Sequence, residues 1–347
     1  MPARDGALTP AELSVRALPG LPEIAAGDDL AGLLLAAAGD LADGDVLVVS
    51  SKIVSKALGL VADAADREDV VRAQSVRVVA GRRTPRGFAQ VVESVAGPVM
   101  AAAGVDASNT APGTVLLLPA DADGEARRLR RALRAAGAPR IAVVVSDTAG
   151  RAWRTGQTDF ALGAAGLVVV DDLRGSLDAG GQPLEVTERA VADEVAAAAD
   201  LVKGKASGVP AAVVRGLAAF VTDDEGPGAS ILLRDSGSDW FRYGHVEAVQ
   251  AALGVPPGSV EPPSVLPEPL SHRVRRAVQV ALVGGFRVQV DVAADGAGCT
   301  LHGDAFACGA VGQRLLVALW AEDLRGELAA DGYRDGRLEA TVVTAPG

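Results

Sequence analysis

Apolar residues in this chain gather into short runs separated by polar bursts. Asp45–Ser50 (DVLVVS) reads as a buried strand, ended by the polar pair Ser51-Lys52. Val76–Ala80, Thr114–Leu118, Arg140–Ser146, Gly166–Asp171 and Ala211–Arg215 are further strand candidates. Helical spacing predicts a helix over Asp29–Leu41, with Gly27-Asp28 as its start signal, and further helices over Glu125–Ala136 and Glu188–Val202. Strands alternating with helices predict an α/β or mixed α+β fold, around a sheet at least partly covered on both faces. The chain shows no internal repeat at solenoid periods.

The pattern changes at Val255–Leu270, where six of the 19 prolines fall within 16 residues. Such a stretch cannot be helix or central strand and is expected to behave as an extended linker. The expected division is a main domain over 1–250, a Pro-rich linker over 251–270, and a small C-terminal α+β module over 271–347. That module should hold a helix (His272–Leu282), one or two strands around Phe286–Ala293, and a second helix (Ala310–Leu324).

Composition narrows the function classes. Only 3% of the 347 residues are aromatic, so the core must be built mainly from Ala, Val and Leu. A net charge of −11 argues against a general nucleic-acid or anionic-membrane binder, though not against a local anion site. Two cysteines, Cys299 and Cys308, are too few for a disulfide framework and fit a reducing compartment. The N-terminal MPARDGALTPAELSV lacks a secretory pattern, and no apolar run reaches the ~18–20 residues of a membrane span, so a cytoplasmic location is expected. Of the 33 basic residues only four are lysine (Lys52, Lys56, Lys203 and Lys205), and Asn109 is the only asparagine. In a chain this rich in Ala, Gly and Arg, those five positions invite a chemical reason.

The densest polar segment, Ser146–Asp159 (SDTAGRAWRTGQTD), directly follows an apolar strand, where open α/β sheets keep their sites. Its Asp147, Thr148 and Asp159 oxygens suit a hard cation, and its Arg151 and Arg154 offer forked donors for phosphate or carboxylate. The alternative is a solvated loop with its own turns. In Gly104–Asn109 (GVDASN), Asp106 is a candidate metal ligand and Asn109 a candidate nucleotide contact, or both close a local turn. Ser51-Lys52 and Ser55-Lys56, four apart, share one face if a helix starts there and would form a phosphate cradle. Lys203–Pro210 (KGKASGVP) superficially matches a Walker A loop. It fails because Ala199 stands where glycine is required and the loop follows a helix. Scattered histidines and the absence of a GxSxG elbow leave zinc and serine-hydrolase readings unsupported. The arginines of Arg127–Arg134 are expected on a solvated helix face, and Asp223–Glu225 in a solvated turn.

With these segments in view, the first ~245 residues resemble the coenzyme F420:L-glutamate ligase family, the γ-glutamyl ligases that tail a deazaflavin coenzyme. The resemblance rests on GLPEI (Gly20–Ile24), SSKIVSK (Ser50–Lys56), AAAGVDASN (Ala101–Asn109) and SDTAGRAWRTGQTDFALG (Ser146–Gly163). It continues with VADEVAAAADLVKGK (Val191–Lys205) and GVPAAVVRGL (Gly208–Leu217). It implies a γ-glutamyl ligase-like fold with a mixed sheet and flanking helices, an intertwined homodimer, GTP as phosphoryl donor, and Mg²⁺ or Mn²⁺, with K⁺ as an accessory cation. By position, Leu21, Pro22, Glu23, Ile24, Ser51, Lys56, Asn109 and the loop Lys203, Gly204, Lys205, Ala206, Ser207, Gly208, Val209 and Pro210 would contact GTP. Asp106, Asp147 and Thr148 would hold the metals, and Lys52, Arg151 and Arg154 would neutralise charge during catalysis. The resemblance also implies an acidic metal ligand where this chain has Lys205, which a charged lysine cannot replace.

The implied substrates are coenzyme F420-0 and L-glutamate, with no nucleic acid and no membrane as partner. Phosphoryl transfer from GTP would convert an inert carboxylate into an acyl phosphate that the glutamate amine can attack, a task of positioning and charge neutralisation. Some family members carry a flavin-binding domain after the ligase. The 77 residues from Ser271 are too few for it, so no tightly bound flavin is expected. Two other readings remain: a GTP-dependent amide ligase for another small acid, and a non-catalytic nucleotide-binding regulator.

Overall fold

The structure is a computed structural model and describes residues 12–205 and 207–344. The chain divides into two compact units, one of residues 1–75 and 94–235, the other of residues 76–93 and 236–347.

The first unit is built on a five-stranded sheet in the order Ser14–Ala17, Ala211–Arg215, Val46–Ser50, Ala142–Arg151, Arg154–Ala165. Val46–Ser50 and Ala142–Arg151 run parallel, and the other neighbours are antiparallel. The mixed α/β class expected from the alternation is therefore the observed one. The unbroken apolar run Val46–Val49 has a plain cause. Leu47 and Val49 face one layer, packed with Leu34, Ile53, Val54, Leu129 and Leu133. Val46 and Val48 face the opposite layer, with Val191, Val195, Ala199 and Phe220. Both faces are covered, so no position is free to be polar.

The predicted helices appear as Leu30–Ala38, Ala122–Ala135 and Val191–Lys203, and Ser51–Leu58 is a helix, which is the condition for the two Ser-Lys pairs to share a face. Side chains set their starts: Asp29 accepts from the Gly32 N–H, Asp121 from that of Gly124, and Ser50 from that of Lys52. Gly166–Asp171 differs from expectation. Only Asp171–Asp172 is strand, and the apolar residues Leu167 and Val169 are buried as irregular chain beneath the Val191–Lys203 helix. Arg130 also departs from a solvated face. It is 2% exposed, and its guanidinium donates to the carbonyls of Ile141, Thr222 and Asp224, so the acidic turn is held through its backbone.

The second unit holds the hairpin strands Ser75–Thr84 and Gly87–Ser94 for most of their length, and the helices His245–Ala252, Leu270–Leu282 and Ala305–Ala321. Its four-stranded antiparallel sheet has the order Gln289–Val292, Gly298–His302, Arg337–Thr344, Leu324–Leu328. The Pro-rich stretch lies inside this unit. Val255 is buried in its core, and Arg83 exchanges backbone hydrogen bonds with Pro263 and Val265. The second long helix starts earlier than predicted because Asp304 caps it, accepting from the Ala307 N–H. Cys299 and Cys308 are buried free thiols in this core. No helix among the described residues is long and apolar enough to cross a membrane.

Candidate active site

The parallel pairing of Val46–Ser50 with Ala142–Arg151 stops where Ser50 meets Ser146, and the residues that follow on both sides open a cavity of about 200 Å³. Its lining comes from Leu21–Ile24, the start of the Ser51–Leu58 helix, Asn109, Asp147-Thr148 with Asp159 on the neighbouring strand, Asp200, Lys203 to Lys205, and Gly208 to Pro210. All four lysines and the only asparagine of the chain line this one cavity.

The polar burst Ser146–Asp159 is not a loop. Ala142–Arg151 continues outward and Arg154–Ala165 returns along it, with a bulge between Val145 and Ser146. A bulge adds a residue on one strand and re-aims its neighbours, and this one stands where the ribbon leaves the core. Thr148 lies opposite Asp159 in the ladder. Below the cavity, Lys203 is buried and donates to Asp159 Oδ2 at 2.6 Å and to Ser146 Oγ at 2.7 Å. Ser146 also donates to Asp159 Oδ2 at 2.9 Å. Burial pushes the Asp159 carboxyl up, but the Lys203 ammonium and the hydroxyls of Thr148 and Ser146 outweigh it and hold it below its ordinary value.

Asp147 is in the opposite position. Ser51 Oγ donates to its Oδ1 at 2.9 Å, and the Thr148 N–H also donates to it. Burial dominates, repulsion from Asp159 and Asp106 adds to it, and the carboxyl is pushed up to about 6. Asp106 is desolvated too, yet Lys52 Nζ at 2.6 Å and the Ser108 N–H bring it below its ordinary value. The Ser108 bond closes the local turn that was one reading of this segment, so the turn and the ion pair coexist. Asn109 adopts φ 55°, in the left-handed region that asparagine tolerates, and faces the cavity. Lys56 pairs with Glu23 across the mouth.

The Lys203–Pro210 loop begins at Gly204, whose φ of 62° ends the preceding helix. Lys205 Nζ donates to Thr148 Oγ1, while Ser207 Oγ bonds back to the Lys203 carbonyl. Gly208, Val209 and Pro210 complete the wall. Ala206 lies outside the described residues.

Not every expected residue comes to the lining. Ser51 and Asp106 act from behind it, through Asp147 and Lys52. Arg151 and Arg154 face each other at the exposed tip of the ribbon, beside Trp153, and do not line the cavity. Asp200 was not singled out from the sequence, although it stands one helical turn before Lys203 and faces the same side. Burial and the nearby Asp159 raise its carboxyl. Ser50 and Ile53 also line the cavity without a sequence signal of their own.

Among the described residues, no three Asp, Glu, His or Cys side chains converge as a ready-made metal cage. The donors present are hard oxygens, and Asp147 is a desolvated carboxylate with no ammonium on it among the described residues. That suits a cation such as Mg²⁺, which takes one or two carboxylates and completes its shell with water and phosphate oxygens.

Residues 20–216 match the family model described as F420-0:Gamma-glutamyl ligase. The chain is 38% identical over 254 residues to the coenzyme F420:L-glutamate ligase of Methanothermobacter thermautotrophicus, covering 66% of this chain and 99% of that protein. It is 40% identical over 215 residues to the enzyme of the same name from Archaeoglobus fulgidus, covering 57% of this chain and 85% of that one. The Halobacterium salinarum protein of that name is 42% identical over 221 residues, with the same two coverages. Every residue that lines the cavity falls within the matched segment, and the chain belongs to the F420-0:gamma-glutamyl ligase family.

Proposed function

We propose that this chain joins L-glutamate to coenzyme F420-0 and then to its growing γ-glutamyl tail, with GTP as phosphoryl donor and GDP and phosphate as products. The observation that carries the reading is the convergence of Lys52, Lys56, Lys203, Lys205 and Asn109 on one cavity where the parallel pairing of Val46–Ser50 with Ala142–Arg151 stops. Relatives named for F420 and L-glutamate supply the substrates.

A carboxylate resists amines because the oxygen to be expelled is a poor leaving group. Transfer of the γ-phosphoryl group to a carboxylate oxygen of F420-0 releases GDP and leaves an acyl phosphate. The glutamate amine then attacks the acyl carbon, phosphate departs with the bonding electrons, and the nitrogen gives up a proton. Such chemistry asks the protein mainly for positioning and charge neutralisation. Lys56, Asn109 and the Lys203–Pro210 loop would hold the nucleotide, with Leu21–Ile24 against its apolar side. Lys52 would neutralise developing charge while keeping Asp106 in place. Mg²⁺ or Mn²⁺, when bound, would screen the phosphate oxygens. Asp147 is the residue best suited to hold it, with Asp106 and Thr148 beside it.

A homodimer, K⁺ as an accessory cation and a cytoplasmic location belong to the same proposal. Arg151 and Arg154 belong to it as charge-neutralising residues, although neither touches the cavity within this chain. GTP turnover measured with and without F420-0 plus L-glutamate, with tail length read by mass spectrometry, tests it. Turnover coupled to glutamate addition supports the ligase. Coupling to another acid only, or binding without turnover, replaces it by the other amide ligase or by the regulator.

A further inference from the structure

The cations of the cavity are of two kinds. Lys52 is committed to Asp106, Lys56 to Glu23 and Lys203 to Asp159. Lys205 is different. Its ammonium donates to the Thr148 hydroxyl, and among the described residues it forms no ion pair with a carboxylate; Asp200 feels it only at longer range. On the adjacent residue, the Asp147 carboxylate has hydroxyl and N–H partners but, among the described residues, no ammonium. One strand therefore presents a carboxylate that lacks a cation next to a hydroxyl that already has one.

A threonine hydroxyl has one hydrogen and two lone pairs. The hydrogen of Thr148 goes to Asp159 Oδ1, and Lys205, which lines the cavity with it, takes a lone pair. A divalent ion brought to that oxygen would meet the ammonium at close range, and the two cations would repel. An ammonium there can itself serve a polyphosphate as a compact point charge.

Resting on the GTP-dependent reading above, we propose that Lys205 is the resident cation of the Thr148 side of the cavity. It contacts the nucleotide's phosphates there, and a single divalent ion, held at Asp147, completes the neutralisation. The cavity thus takes one metal ion per chain and not a pair.

The test is a count of bound Mn²⁺ by electron paramagnetic resonance, on the full chain saturated with a non-hydrolysable GTP analogue. The wild type is expected to bind one ion per chain. Lys205→Glu should bind two, because a carboxylate then replaces the ammonium beside Thr148. Lys205→Met should keep one ion and lose about tenfold or more in affinity for the analogue, the size of a lost charge-assisted hydrogen bond. Lys205→Arg should restore most of that affinity. Lys205 is exposed, so thermal melts of all three variants should match the wild type. Two ions in the wild type, one in Lys205→Glu, or unchanged affinity in Lys205→Met each overturn the inference. If the wild type fails to bind the analogue, the GTP reading falls and the inference with it; two ions with the analogue bound overturn the inference alone.

Discussion

Asp147→Asn should make the ligand-free protein more stable while removing its activity. The substitution keeps the size of the side chain and an oxygen for the Ser51 hydroxyl, but deletes a charge that burial and two neighbouring carboxylates disfavour. Raising a carboxyl from 3.8 to about 6 corresponds to about 3 kcal/mol at neutral pH. One flank of Asp147 opens on the cavity, where water screens it, so that figure is a ceiling. The sign follows from proton uptake. Between pH 4 and 6 the folded state holds a proton that the unfolded chain has released, so stability falls as pH rises through this window. The wild type is thus penalised in full above about pH 6 and not at all below about pH 4. Melting curves of metal-free wild type and Asp147→Asn at pH 8, 5 and 4 should show the variant several degrees more stable at pH 8, with the gap closing toward pH 4. Added Mg²⁺ should stabilise the wild type and leave the variant unchanged. A variant no more stable than wild type at pH 8 would refute the account of Asp147 as a destabilised carboxylate awaiting a cation.

Three further outcomes follow from the packing. Lys203→Met should destabilise the first unit by about 3–5 kcal/mol, because it strands the buried Asp159 carboxylate without its ammonium; denaturant titration showing less than about 1 kcal/mol would contradict the buried-pair reading. Lys56→Arg should raise the GTP concentration needed for half-maximal turnover with little change in melting temperature, since a planar fork cannot replace a compact ammonium; steady-state kinetics with unchanged GTP dependence would count against it. In the second unit, Arg276 is buried between Glu268 at 2.8 Å and Glu322 at 2.6 Å. Arg276→Met should cost about 3–5 kcal/mol by leaving two carboxylates facing each other, and adding Glu322→Leu should recover part of it, both measured by denaturant melts.

Much of the site was legible in the chain because composition made its residues rare. Four lysines and one asparagine in an arginine-rich sequence marked the places where a compact ammonium or an amide is required, and each of the five lines the cavity. The Ser51–Leu58 helix, on which the reading of the lysine spacing depended, is present. Asp200 stayed hidden because one carboxylate on an Ala-rich helix gives no sign of which way it faces. Arg151 and Arg154 looked like site residues because they share a polar burst with Asp147. The strand continues through that burst as a ribbon, carrying them to an exposed tip away from the cavity.

The sequence by itself determined the class of fold and the inventory of chemistry, since runs covered on two faces and scarce residue types are both local properties. Pairing was decided only by the tertiary structure. Asp106, Asp147 and Asp159 are the same residue type in similar polar surroundings of sequence. Lys52 holds the first carboxyl below its ordinary value and Lys203 the third, while Asp147 is raised because burial meets no ammonium. Electrostatic free energy depends on distances of a few ångströms and on exclusion of water, and those are set when residues more than a hundred positions apart close around one cavity.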